Sequence, residues 1–374
     1  MNRTAVPPPV TLVLEAADAW LPARMEAVEE RLGRLVEGHG KALAADAAAT
    51  LAAGGKRLRP MLVLLSAGPR GGEAAIRAAT AIELVHMATL VHDDVLDAAP
   101  LRRGRPTVVA RSGRGRALAV GDLLFSRAFA ELGKDGSRKQ VELLSRASVA
   151  LALGELAQRR DAFDGSISAE RYLERCELKT GRLFECACLI GWAGGSATAA
   201  AGGADPLAAL QIFGREIGLA FQLLDDVLDV TGPPERTGKA RGTDLLDGTV
   251  TLPLILARER DQGLVELSLR GLNAEGAEAV CDRIAATGVL LILVDLRQGI
   301  ERGEERAEPD ENQQPRGIHR QSSGCPAGIG RQRTETHHVD YPIRACHRLE
   351  PKGRDRIEHR QHQTGRIDQP VCDR

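Results

Sequence analysis

At 374 residues the chain is long enough to bury one large core or two ordinary ones. Apolar residues make up 43% of it and aromatics only 3%, a balance that favours helices built on Ala and Leu over strands. A formal net charge of −1 supplies no global field for nucleic acid or an acidic membrane surface, so neither is expected as a partner.

The chain opens with three consecutive prolines, Pro7, Pro8 and Pro9, and no apolar stretch of signal-peptide length. No apolar run approaches the ~20 residues of a membrane span. A soluble, cytoplasmic protein without a transmembrane segment is expected. From Val10 to Gly288 apolar residues recur at helical spacing, as in Leu14, Ala17, Leu21, Met25, Val28, Leu32 and Leu35. Glycine and proline clusters separate the helices: Gly54 and Gly55, residues 68–72, Gly194 and Gly195, Gly202 and Gly203, and residues 232–234. Long alternating patterns of the strand kind are absent. These features predict a single all-α domain over residues 10–288.

After Gly288 the character changes. Residues 289–374 hold fourteen of the 43 arginines, eight of the 13 glutamines and six of the nine histidines, but one lysine. Beyond the apolar run at 289–294 there is little periodicity to bury, so a low-order tail is expected. It is either a genuine appendage or the product of a reading-frame shift near codon 288 in a GC-rich gene, and the shift is the reading favoured. His337, His338, Cys346, His347, His359 and His362 could be read as metal ligands, but such pairs arise easily in a His-rich segment. The seven cysteines are scattered. Cys176, Cys186 and Cys188 have no second close pair to complete a zinc site, and they read as small buried apolar residues in a reducing compartment.

Two acidic motifs carry the chemistry. Asp93, Asp94 and Asp97 form the first, and Asp225, Asp226 and Asp229 the second. On a helix, positions i and i+4 lie one turn apart on one face, so each motif is a compact set of hard oxygen ligands. Carboxylates this close repel one another, which divalent cations would relieve. Magnesium suits such a site, since it takes one or two carboxylates, waters and phosphate oxygens. A single motif of this kind is more often a solvated acidic face. Two copies, each preceded by apolar residues (Leu90 and Val91; Phe221 to Leu224), point to function. Cations gather at punctuated positions: Lys56, Arg57 and Arg59 after the glycine pair, Arg102 and Arg103 past Pro100, then Lys179 and Lys239. Together with the aspartates they describe a site for two diphosphates.

The segments GGKRLRP, HMATLVHDDVLDAAPLRRGRPT, KTG, GLAFQLLDDVLD and GKARGTDLLDGTVTLP, in this order over residues 50–257, resemble the trans-isoprenyl diphosphate synthase family. The resemblance implies a bundle of long helices around a deep apolar cavity, as a homodimer. It implies a prenyltransferase that adds isopentenyl diphosphate to an allylic diphosphate. Asp93, Asp94, Asp97, Asp225, Asp226 and Asp229 would hold Mg2+, and Asp93, Asp94, Asp97, Lys179, Asp225 and Asp226 would form the catalytic set. Arg102, Lys179, Thr180, Gln222 and Lys239 would contact the allylic diphosphate. Lys56, Arg59, His86 and Arg103 would hold isopentenyl diphosphate. Cationic side chains and Mg2+ would stabilise the departing diphosphate, leaving an allylic cation for the double bond of isopentenyl diphosphate to attack. Ala88 and Thr89, about one turn before Asp93, are the chain-length positions; their small size leaves the channel open for a medium or long all-trans product. The chain departs from the family's pattern after residue 288, and at Thr249, where many relatives have lysine. The competing expectation is a non-catalytic subunit of a heteromeric synthase, which would have no need for six repelling aspartates.

Overall fold

The computed structural model describes residues 8–37, 40–134, 138–195, 206–232 and 240–291, together with 293. The chain divides into two units, residues 1–306 and 307–374, and all described residues belong to the first. Lys239 and the expected tail, apart from its first residues, lie outside the described set.

The first unit is helical, as the composition predicted. The single face drawn through Leu14 to Leu35 is shared by two helices, α1 (Pro8–Asp18) and α2 (Leu21–Val36). A turn at Ala19 and Trp20 separates them, and Pro22 opens the second. Ala17, Leu21, Val28, Leu32 and Val36 are buried. Helices α3 (Lys41–Ala52) and α4 (Leu58–Ala67) lead to α5 (Glu73–Leu96), the 24-residue helix at the centre of the core. Alanines line much of α5, and Ala75, Ala78, Ala79, Ala81 and Ala88 are fully buried. Small side chains let neighbouring helices approach closely on several sides at once.

A two-residue hairpin follows, β1 (Leu101–Arg102) against antiparallel β2 (Arg105–Pro106), an element the sequence pattern did not predict. Its turn puts Arg103 at φ +51° and Gly104 at +72°, the paired positive values of a tight hairpin. Next come α6 (Val108–Ser112), α7 (Arg114–Gly133), α8 (Arg138–Arg160) and α9 (Ala169–Cys176), the last capped by the Ser168 hydroxyl accepting from the Arg171 N–H. One π-helical turn, Glu177–Gly181, joins α9 to α10 (Arg182–Gly194). Helix α11 (Pro206–Thr231) carries the second acidic motif, and short helices follow up to Ala274–Ala286.

Cys176, Cys186, Cys188 and Cys281 are buried free thiols, in keeping with their reading as core residues. Helices α5 and α11 are long and apolar enough to cross a membrane by length and composition alone, a test that the core helix of a soluble protein also passes. The most apolar window of α5 is 67% buried inside the protein, and both helices end in clustered aspartates that hydrocarbon would penalise.

Helix α10 lies so close to α4 that a Cβ on Gly191 would stand 2.2 Å from the Val63 carbonyl oxygen. Backbone cannot swing aside as a side chain can. Gly191→Ala is expected to destabilise the protein by about 1–3 kcal/mol, read as a lower urea midpoint with an unchanged slope.

Candidate active site

The two acidic motifs stand at the ends of α5 and α11 and open onto one cleft of about 1840 Å3. Asp93, Asp94 and Asp97 line it from one side, and Asp225, Asp226 and Asp229 from another. Lys56, Arg59, His86, Arg102 and Arg103 share the wall. Lys179, Thr180 and Gln222 do so as well. Thr89 also reaches it and donates its hydroxyl to the His86 carbonyl at 2.8 Å; Ala88 is wholly buried and is not among its lining residues. Phe125, Leu151, Leu156, Leu183 and Phe221 supply an apolar stretch of wall.

Charge is balanced locally. Arg102, on the hairpin, donates to Asp94 at 2.8 Å. Arg159 of α8 meets Asp97 at 2.5 Å and Glu155 at 3.0 Å. Lys179 lies 2.5 Å from Glu155 and donates to Gln158 at 3.2 Å. Burial pushes the Asp93 carboxyl up to about 6, with Lys179 opposing and Glu155 and Asp97 reinforcing the shift. Burial alone would lower Lys179, but Asp93 and Glu155 outweigh it and hold the ammonium above its usual range. The Lys179 charge is therefore secure in a desolvated site.

The π turn gives Lys179 and Thr180 their place. An i→i+5 turn widens the helix locally and re-aims its side chains. Helix α8 packs tightly on it: a Cβ on Gly154 would stand 2.6 Å from the Lys179 backbone nitrogen. One turn further along α8, Gln158 and, beside Gly154, Glu155 thus come within reach of Lys179.

The side of the cleft expected to take isopentenyl diphosphate is built differently. His86 is kept neutral: burial pushes it far below its ordinary value, and Arg59, Arg103 and Arg102 add to the effect. Arg59 stacks its guanidinium over the Phe184 ring at 4.3 Å, and burial lowers it to about 10. Lys56 is exposed at the rim. Arg57, between these residues in sequence, turns away from this task. From a left-handed backbone conformation it pairs with Glu29 and, at 2.7 Å, with the buried Glu83.

Sequence reasoning missed several residues here. Glu155 and Arg159 stand i,i+4 apart on α8, a spacing that carries no signal beyond an ion pair along one helix face. Tyr172 is one of only two tyrosines in the chain, and nothing in its neighbourhood flagged it. It is fully buried, and its hydroxyl donates to Asp226 Oδ2 at 2.6 Å. Asp226 is pushed up to about 7 by burial, against the hydrogen bonds from Tyr172 and Gln222 that lower it. Beside Tyr172, Arg175 donates to the Val250 carbonyl at 2.7 Å and ties α9 to the segment preceding Leu252.

The site's donors fit a divalent cation that also binds phosphate. Among the described residues no three His, Cys, Asp or Glu side chains converge closely enough to hold a metal unaided. A cation at Asp93 and Asp97 would therefore complete its shell with water and phosphate oxygens, as Mg2+ prefers.

A helical bundle with paired aspartate motifs facing a cation-lined cleft defines a class of enzymes that act on diphosphates. The profile of the polyprenyl synthetase family matches residues 41–283, and the chain belongs to that family of prenyltransferases of the polyprenyl diphosphate synthase type. It is 38% identical to the heptaprenyl diphosphate synthase component 2 of Geobacillus stearothermophilus over 282 residues, 74% of this chain and 86% of the relative. Against the octaprenyl diphosphate synthase of Escherichia coli it is 41% identical over 206 residues, 54% of this chain and 62% of that enzyme. Among solved structures, the polyprenyl synthase of Caulobacter crescentus CB15, complexed with calcium and isoprenyl diphosphate, superposes with a TM-score of 0.67 at 34% identity. That match covers 76% of this chain and 87% of the other.

Arg57→Ala would leave the buried Glu83 carboxylate without its closest partner. A loss of about 3–5 kcal/mol is expected, measured by chemical denaturation, whereas Lys56→Ala at the exposed rim should leave stability unchanged.

Proposed function

We propose that this protein condenses isopentenyl diphosphate with an allylic diphosphate by Mg2+-assisted ionisation, giving an all-trans product longer than twenty carbons. The observation that carries this reading is the meeting of both aspartate motifs, Lys179 and the hairpin arginines on one cleft with an apolar wall. When bound, Mg2+ supplies positive charge at the diphosphate oxygens as the carbon–oxygen bond breaks. Asp93 and Asp97, with Asp225 and Asp229 opposite, would hold the metal. Lys179 and Arg102 donate hydrogen bonds to the leaving diphosphate and offset its negative charge, most strongly as that charge grows, while Thr180 stands beside them and donates to Gln222.

Lys56, Arg59, neutral His86 and Arg103 hold isopentenyl diphosphate so that its double bond faces the ionising carbon. Neutral His86 donates one N–H without adding a fifth positive charge to Arg57, Arg59, Arg102 and Arg103. The proton lost in the last step leaves with the released diphosphate. Phe125, Leu151 and Phe221 keep water from the cation. Lys239, outside the described residues, is retained as an allylic diphosphate contact from the resemblance.

Thr89 lines the cleft where the growing chain would pass, and Ala88 behind it is equally small. Both leave room for elongation. A homodimer is also proposed, supported by the exposed apolar residues Val149 and Leu153 on α8, at 58% and 52% exposure. A second reading draws on the Geobacillus relative, whose name as component 2 makes it one part of an assembly. By analogy this chain would be a subunit requiring a partner.

Purified protein incubated with labelled isopentenyl diphosphate, farnesyl diphosphate and Mg2+ should give a ladder of products ending above twenty carbons. Chelation with EDTA should abolish it, and Asp93→Asn should lower kcat by roughly 10²–10³-fold. Folded protein that yields product only after a second subunit is added would favour the subunit reading. Thr89→Phe is expected to shorten the product while leaving the first condensation intact; unchanged product length would remove Thr89 from the channel.

A further inference from the structure

Asp226, like Asp94, is buried, at 2% exposure, whereas Asp225 beside it is exposed; Arg102 reaches Asp94, but Asp226 meets neutral partners. Both of its carboxylate oxygens already accept hydrogen bonds from neutral donors. Tyr172 Oη donates to Oδ2 at 2.6 Å, and Gln222 Nε2 donates to Oδ1 at 2.8 Å. Gln222 in turn accepts through Oε1 from the Thr180 hydroxyl at 2.8 Å. The four side chains form one chain running from α9 through α11 to the π turn.

The chemistry of the groups sets its direction. Gln222 is held by both ends of its amide: the nitrogen donates to Asp226 Oδ1 and the carbonyl accepts from the Thr180 hydroxyl, and reversing it would set nitrogen against the Thr180 donor. The second amide N–H is what this leaves for a diphosphate oxygen. Without Asp226 the amide could rotate by half a turn and present its carbonyl to the anion instead. Tyr172, fully buried on a separate helix, holds the other carboxylate oxygen and so fixes Asp226 itself.

Resting on the synthase reading above, we propose that Asp226 is a positioning residue rather than a metal ligand. Tyr172 and Asp226, with the Thr180 hydroxyl holding the amide carbonyl, together orient Gln222 toward the allylic diphosphate. The metal then depends on Asp93, Asp97, Asp225 and Asp229.

The test uses the full-length protein and a non-reactive thiolo analogue of an allylic diphosphate, titrated calorimetrically in the presence of Mg2+. Tyr172→Phe keeps the ring and removes the anchor. Its Kd for the analogue should rise roughly tenfold, the loss of one hydrogen bond to a charged group. The KM for isopentenyl diphosphate and the Mg2+ concentration for half-maximal analogue binding should stay unchanged. Asp226→Asn should match it, and the double variant should be no worse than either single one. If Tyr172→Phe fails to fold by circular dichroism, Asp226→Asn with its Mg2+ titration carries the test.

A sharply raised Mg2+ requirement in Asp226→Asn would make Asp226 a metal ligand and overturn the proposal. So would equal weakening of both substrates in Tyr172→Phe, which would reduce the tyrosine to a packing role. Wild-type protein that binds the analogue as well as Tyr172→Phe does overturns the proposal alone. Wild-type protein that binds no allylic analogue overturns the synthase reading, and the proposal with it.

Discussion

Six aspartates facing one partly buried cleft would, by themselves, push the ends of α5 and α11 apart. Much of the surrounding structure is arranged to prevent this. Arg102 reaches Asp94 from the hairpin, Arg159 reaches Asp97 from α8, and Lys179 stands between Asp93 and Glu155. Each cation comes from a different element, so neutralising the cleft also ties the hairpin, α8 and the π turn to α5. The same cations are the groups a diphosphate would meet. Substrate binding then exchanges one set of ion pairs for another, at lower cost than opening an uncompensated charge.

Close helix packing makes this arrangement rigid enough to hold. Alanines along α5 and glycines at helix crossings bring backbones together, and the short separations leave little room for rotation or sliding. Gly154 matters for the site as much as for the core. It lets α8 press against the π turn, so that Lys179 projects toward Glu155 and the first motif rather than along the helix surface.

The two sides of the cleft balance their charge differently. Around the aspartate motifs, anions and cations alternate, and hydrogen-bonded neutral groups fill the gaps. Around His86, Arg57, Arg59 and Arg103 crowd together. Burial and the neighbouring arginines keep His86 neutral, and Glu83 takes up part of the excess charge through Arg57. Arg57 is therefore the one basic residue of the Lys56–Arg59 run that belongs to the scaffold.

Helical class, the two aspartate motifs and most of the basic residues that line the cleft were legible in the sequence, because periodicity and fixed i,i+4 spacing are local properties of a helix. The family resemblance followed from the same local segments. Other features depended on contacts between residues far apart in the chain. Tyr172 meets Asp226 across 54 positions, Arg159 meets Asp97 across 62, and Arg57 meets Glu83 across 26. No spacing rule links such pairs. Whether an aspartate faces the open cleft or a tyrosine, and whether an arginine lines the cleft or braces a buried carboxylate, was decided only when helix packing fixed which side chain lost its water and which neighbour replaced it.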